Sequence, residues 1–302
     1  MLIRPPPASG PAAAAAAGHG CDAATLHRLG RAATVALYDE LALAPKPGLV
    51  SFVDSGSHDD MDARTFVCSL FALRHYFPQA AALGAAGAPF AQLEALGRAA
   101  EARMLVATRG INTHRGAIFM LGLLCAAAGA LVASGEPLDA AALRRTLLAR
   151  WGDALNRRSG RDADSNGGRA ARRFGLRGAG EEAALGFPTL FEHAAPALDA
   201  ALAAGLDPRR ARLQALFAAL AVLDDTTLVH RGGLAGLRFA RAAADEFLER
   251  GGAGRADAVA HARTLHRAFV RRRLSPGGAA DVLAAACWLQ RTCAPRYAGS
   301  GT

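Results

Sequence analysis

The sequence predicts an all-α protein, a single compact multi-helix domain, and three observations lead there. Apolar residues recur at i, i+3 and i+4 through most of the 302 residues, the spacing of one buried helix face. About a quarter of the chain is alanine while aromatics make up only 6%, a composition suited to helices in close contact. Long alternations of Val, Ile and Thr are absent, which argues against a β-sandwich or barrel. With 52% apolar and 20% charged residues, the chain has the means to bury a core.

Taken in order, residues 1–20 combine three consecutive prolines with an alanine run. The prolines interrupt any apolar stretch, so a disordered tail is expected rather than a signal peptide. Residues 21–295 form the expected helical domain. The stretch 22–43 carries Leu26, Leu29, Ala33, Leu37 and Leu41 on one face and stops at Pro45-Lys46-Pro47-Gly48, which cannot continue a helix. A polar loop, 51–62, precedes helices over 63–83, broken or kinked at Pro78, and over 90–107. After a break at 108–113 a helix restarts near His114. Its run from Gly116 to Ser134 has no charge and just reaches membrane-spanning length. No second span accompanies it, so a buried core helix is the expectation. Another helix covers 137–151. Residues 156–180 are rich in Gly and Arg and nearly without apolar side chains, too long for an ordinary connection. They are expected either as a disordered insertion or as a mobile lid that orders over a ligand. Helices resume over 189–204, 208–223, 234–250, 255–272 and 276–290.

The net charge is +9, from 35 basic and 26 acidic residues, with Lys46 the sole lysine. Such an excess points to nucleic acid, nucleotide phosphates or acidic lipid. Five scattered cysteines without a CxxC pair suit a reducing compartment, and the expected location is cytoplasmic, away from membranes.

Several polar segments interrupt the helices at their ends. Lys46, held between two prolines, presents its ammonium at low entropic cost, which fits phosphate binding better than a simple helix stop. Residues 54–62 hold four carboxylates and His58, more acids than helix capping requires. Asp59 and Asp62 would share a face on a helical turn and could hold Mg²⁺. Asn112, Thr113, His114 and Arg115 open a helix, with Thr113 as the candidate cap, and would face an anion there. Ser275, Pro276, Gly277 and Gly278 repeat that logic, although a plain cap with a close helix crossing explains them equally well. Asp224 and Asp225 follow a core helix, where the macrodipole disfavours acids, so a metal ion is the expected compensation. Arg177 beside Glu181 and Glu182 reads either as a surface ion pair or as a general base near a mobile loop.

In this order, PKPGLV (45–50), SGSHDDMD (55–62), INTHRGAIF (111–119), GFPTL (186–190), DDTTLVHRGG (224–233) and LSPGGAAD (274–281) resemble the triphosphoribosyl-dephospho-CoA synthase family. The text PGLVSFVDSGSHDDMD is more similar to the malonate decarboxylase branch than to the citrate lyase branch. The resemblance implies an all-helical transferase that joins ATP to 3′-dephospho-CoA and releases adenine. The product is then passed to a phosphoribosyl-dephospho-CoA transferase acting on an acyl carrier protein. One departure stands out. The family usually runs Gly-Ala-Arg-Gly directly into Glu-Ala, whereas Ala179, Gly180 and Glu181 follow Gly178 here. Glu182 is the better match to the family's glutamate, with Glu181 in competition.

The implied pentosyl transfer needs a base for the attacking hydroxyl and help for the leaving group. Glu182 is the expected base, and His114 or His58 the expected proton donor to adenine. Asp224 and Asp225, then Asp59 and Asp62, are the expected Mg²⁺ ligands. Lys46, Asn112, Thr113, Arg115, Arg177, Arg231, Ser275, Gly277 and Gly278 are the expected contacts to the phosphorylated substrates. Two rival classes share some of these features. A nucleic-acid-binding protein would explain the charge but not the paired acids, and a helical ADP-ribosyl hydrolase-like N-glycosidase would pass the ribosyl unit to water.

Overall fold

The computed structural model describes residues 22–159 and 166–293. The expected N-terminal tail and the centre of the 156–180 segment lie outside the described residues. Every regular element described is helical, and the helices form one compact body.

The chain runs through α1 (Ala23–Ala42), α2 (Ala63–Leu73), α3 (Tyr76–Ala85), α4 (Phe90–Ala107) and α5 (Arg115–Ser134). It continues with α6 (Ala140–Ser159), α7 (Asn166–Phe174) and α8 (Ala179–Ala184), then a π-helical turn (Thr189–Ala194) that leads into α9 (Ala195–Ala203). The last helices are α10 (Pro208–Val222), α11 (Thr226–Glu249), α12 (Ala258–Arg271) and α13 (Gly277–Thr292).

α5 forms the centre, packed by α3, α4, α6 and α13. It is long and apolar enough to cross a membrane, but 78% of its most apolar stretch is buried inside the protein. Small residues set its crossing with α3. A Cβ on Gly84 would lie 1.8 Å from the Ala126 carbonyl oxygen, and one on Gly129 would lie 1.9 Å from that of Ala81. The two backbones therefore meet directly, which alanine-rich helices allow. Buried polar tips find backbone acceptors: Tyr76 Oη donates to Ile118 O (3.0 Å) and Trp288 Nε1 to Leu29 O (3.0 Å).

Three expectations change. The break expected at Pro78 falls earlier, between Leu73 and Tyr76, and Pro78 sits in the first turn of α3, where its missing N–H leaves no hydrogen bond unmade. Within 156–180, α6 continues to Ser159 and α7 packs against α11, so much of this stretch is ordered helix rather than loop. α11 begins eight residues before the expected start. Gly233, at φ 60° and ψ −166°, breaks it internally, a backbone conformation open to glycine. The extra turns ahead of that break bring Thr226, Thr227 and Arg231 to the mouth of the central cleft.

Candidate active site

The starts of α5, α11 and α13, the end of α1 and the 45–62 loop converge on a cleft of about 590 Å³. Nine of the expected site residues line it. His58, Arg231 and Ser275 come from three separate segments, Asn112 to Arg115 from the approach to α5, and Gly277 and Gly278 from the first turn of α13. Arg177 instead lines a neighbouring cavity of about 930 Å³, which shares Ala179 and Thr226 with the cleft.

Arg231 organises the polar part. It donates to the carbonyl oxygen of Ser57 (3.0 Å) and to His58 Nδ1 (2.9 Å). A guanidinium only donates, so His58 Nδ1 is the acceptor and Nε2 carries the hydrogen, donated to Ser275 Oγ (2.9 Å). The Ser275 hydroxyl hydrogen is then free to meet an anion. Burial and Arg231 both hold His58 below its usual 6.5, with Asp60 and Asp59 opposing. Contrary to expectation, Ser275 does not cap α13; Pro276 takes that place.

His114 sits deeper, 3% exposed. Its Nδ1 meets Ser69 Oγ at 2.6 Å, and its Nε2 is buried without a partner, as is Thr113 Oγ1. Two unpaired polar atoms in a cleft wall are costly unless a ligand meets them. Burial, with the nearby Lys46 charge, lowers His114 to about 3. Both shifts favour the neutral imidazole, the form less suited to the expected role of proton donor. Thr113 is not the cap of α5; Asn112 Oδ1 accepts from Arg115 N (3.2 Å), and the Arg115 side chain pairs with Glu101.

Lys46 has a different task from the expected one. It is 1% exposed, and its ammonium donates to the Glu40 carboxylate and to the Glu40 carbonyl oxygen (2.7 Å). Burial pushes Lys46 down and Glu40 up, each charge resisting the other's shift. The prolines deliver an internal strut, not a phosphate ligand.

The expected metal ligands do not assemble. Asp225 is 1% exposed, and both its oxygens are engaged. Oδ1 accepts from Thr227 N (2.9 Å), Leu228 N (3.2 Å) and Thr227 Oγ1 (2.5 Å), and Oδ2 from Ala279 N (3.0 Å). The chain bends after α10, so Asp225 caps α11, where the macrodipole favours an acid. Asp224 pairs with Arg241 (2.7 Å) and accepts from Arg177 N (2.9 Å). Asp62 caps α2, and Asp59 lies in an exposed loop 3.9 Å from Arg273. They share no helical turn. Among the described residues no group of three or more His, Cys, Asp or Glu side chains is placed to hold a metal ion.

Glu182 also departs from expectation. Its Oε1 accepts from Thr189 N (2.7 Å), tying α8 to the π-helical turn, and its Oε2 lies 3.3 Å from Arg177 Nε. It lines neither the cleft nor the adjoining cavity. Glu181 caps α8 by accepting from Gly178 N (2.7 Å).

The carboxyls that line the cleft are Glu94 and Glu101, each paired with an arginine, together with Glu40 and Asp281, none given a role from the sequence. The last two left a trace there. Glu40 interrupts the apolar face of α1, four residues past Ala36, and Asp281 lies one helical turn past Gly277. Asp281 packs on the first turn of α5, where a Cβ on Gly116 would lie 1.9 Å from Asp281 Oδ2. Gly116 is what admits that carboxyl. The rest of the cleft is apolar, formed by Tyr76, Leu93, Phe119 and Leu123 among others, with Arg158 stacked on Phe119 and paired with Glu94 (2.9 Å).

A profile of the ATP:dephospho-CoA triphosphoribosyl transferase family (CitG) matches residues 26–298. A probable 2-(5''-triphosphoribosyl)-3'-dephosphocoenzyme-A synthase of Acinetobacter calcoaceticus is 40% identical over 85% of this chain and 88% of its own. Its counterpart in Stutzerimonas stutzeri is 41% identical over 87% and 91%. The 2-(5''-triphosphoribosyl)-3'-dephosphocoenzyme-A synthase of Pectobacterium atrosepticum is 42% identical over 82% and 84%. No solved structure matches.

Proposed function

This chain belongs to the ATP:dephospho-CoA triphosphoribosyl transferase family, and from that premise we propose that the central cleft is where the ribose of ATP changes partner. The protein is a triphosphoribosyl-dephospho-CoA synthase. In the reaction the 2′-hydroxyl of 3′-dephospho-CoA attacks the anomeric carbon of the ATP ribose, adenine departs, and the triphosphoribosyl group is carried over.

The observation that carries this reading is the two-sided chemistry of one cleft. Arg231, the Ser275 hydroxyl and the α13 start offer cationic and hydrogen-bonding contacts to phosphate. The apolar wall with Tyr76, Leu93 and Phe119 suits a purine or the pantetheine arm. The adjoining cavity, with Arg172 and Arg177 along its wall, gives room for the second large substrate. A nucleic-acid-binding protein does not account for that pairing, since few aromatics are available to stack bases, and the hydrolase-like reading is separated by its product.

Water exclusion matters, because water would intercept the ribosyl centre. Asn156, Gly168 and Arg172 border the second cavity, where they stand against bound substrate. We assign the product to the malonate decarboxylase branch, for passage to a transferase acting on an acyl carrier protein. The PGLVSFVDSGSHDDMD text supports that choice. No step is routed through a metal ion, since the carboxylates expected to hold one have protein partners.

Incubation with ATP and 3′-dephospho-CoA tests the reading by mass spectrometry. Adenine released in step with triphosphoribosylated dephospho-CoA supports it. Adenine with free triphosphoribose means hydrolysis, and ADP or pyrophosphate means phosphoryl or adenylyl transfer; each of these refutes it.

A further inference from the structure

Four carboxyls line the cleft, and no expected role absorbed any of them. Glu94 and Glu101 pair with Arg158 and Arg115, which leaves Glu40, held by Lys46, and Asp281. Glu40 comes from the last turn of α1 and Asp281 from the first turns of α13, and both line the same cavity. The unpartnered Nε2 of His114 and Oγ1 of Thr113 lie in that wall too, each buried and unsatisfied. The acids are therefore part of a wall already arranged for a ligand, not an isolated acidic cluster. Gly116 leaves Asp281 its place against α5.

We propose that Asp281 is the proton donor to the departing adenine and that Glu40 receives the proton of the attacking hydroxyl, an assignment that rests on the pentosyl-transfer reading above. The C1′–N9 bond of ATP breaks with its electron pair on adenine, which takes the Asp281 proton. The acceptor oxygen forms the new bond to C1′ and gives its proton to Glu40. The pair holds one proton before and after the step, so proton return from Glu40 to Asp281 resets the site.

The surroundings divide the two acids in the required sense. Glu40 has the Lys46 ammonium against it. Asp281 has no cation paired with it among the described residues. Facing Asp281 are Glu40 from α1, Asp225 from the start of α11, and Gly116 and the Ala117 N–H at the start of α5. Burial first, then Glu40 and Asp225, hold Asp281 well above the ordinary 3.8, with the Ala117 N–H working the other way. Two interacting carboxyls in unlike settings are the usual source of one acid and one base.

The test measures adenine release against pH for the wild type, Asp281→Asn and Glu40→Gln, with ATP and 3′-dephospho-CoA. Asp281→Asn is expected to lower kcat about 100-fold or more, with KM for ATP changed less than about threefold. The donor must be protonated, so wild-type kcat falls as pH rises through the folded value of Asp281. Glu40→Gln removes a neighbouring anion and moves that fall to lower pH in the residual activity. This second readout stands even if Asp281→Asn fails to fold. Asp281→Asn with near wild-type kcat, or a fall that stays in place in Glu40→Gln, overturns the assignment while leaving the reaction intact. A wild type that releases no adenine overturns the reading and the assignment together.

Discussion

Lys46→Met separates two roles for the chain's sole lysine. Methionine keeps most of the length and apolar bulk of the side chain but removes the ammonium. Glu40 is then left 4% exposed with its counter-ion gone, and so is the hydrogen bond to its own carbonyl oxygen. Breaking a buried ion pair from one side costs about 3–5 kcal/mol, since the surviving charge must be neutralised or hydrated. At about 2 °C per kcal/mol for a chain of this size, the melting temperature should fall by roughly 6–10 °C. The double variant Lys46→Met/Glu40→Gln buries no unpaired charge and should recover at least about 1–2 kcal/mol of the loss. Urea unfolding of the four proteins in this cycle measures the coupling. Acidification gives a second check. Glu40 in the folded protein is raised above its ordinary 4.5, and further when Lys46 is gone. As pH falls through that raised value Glu40 becomes neutral, and the gap between variant and wild type should narrow. A loss under about 1 kcal/mol together with a raised KM for ATP would refute the strut and restore the phosphate role.

Asp225→Ala removes the acceptor of four hydrogen bonds that join the starts of α11 and α13. Its stability in urea should drop by about 2–4 kcal/mol, whereas a metal-ligand role predicts normal stability and lost activity. For His114→Gln the readout is the pH dependence of unfolding. Folded His114 takes a proton only near 3, whereas its ordinary value is 6.5. Between those values the unfolded chain binds more protons, so wild-type stability falls with acidification in that window. The variant should lose that part of the slope; an unchanged slope would mean that His114 is not held neutral by the fold.

The helical fold was legible because its signal is local and repeated. Leu29, Ala33 and Leu37 show the buried face of α1 at 3.6-residue spacing, and the composition excludes most alternatives. Segments near the cleft were legible as well, since polar residues clustered at the ends of apolar helices stand out in one dimension. Roles within those segments were harder to read. Asp224-Asp225 looks costly when α10 is taken to end there. It becomes favourable once the chain bends and Asp225 opens α11. Lys46 reads as an exposed ammonium because nothing in PKPG reveals Glu40, six residues earlier and one bend away.

Helix periodicity, caps and breakers are short-range properties, set by neighbours within about four residues, and the amino-acid order was enough to settle them. Pairing across the core is different. Whether Asp281 meets the Gly116 turn, whether His58 bonds Ser275 (217 residues away) and whether Arg177 meets Asp224 depend on how whole helices cross. Those crossings follow from packing small against large side chains throughout the interior. Charge states depend on them in turn, because burial and a neighbouring charge shift a carboxyl or imidazole far more than adjacent sequence does. That is why six segments announced a cleft, while the identity of its acid had to wait for the fold.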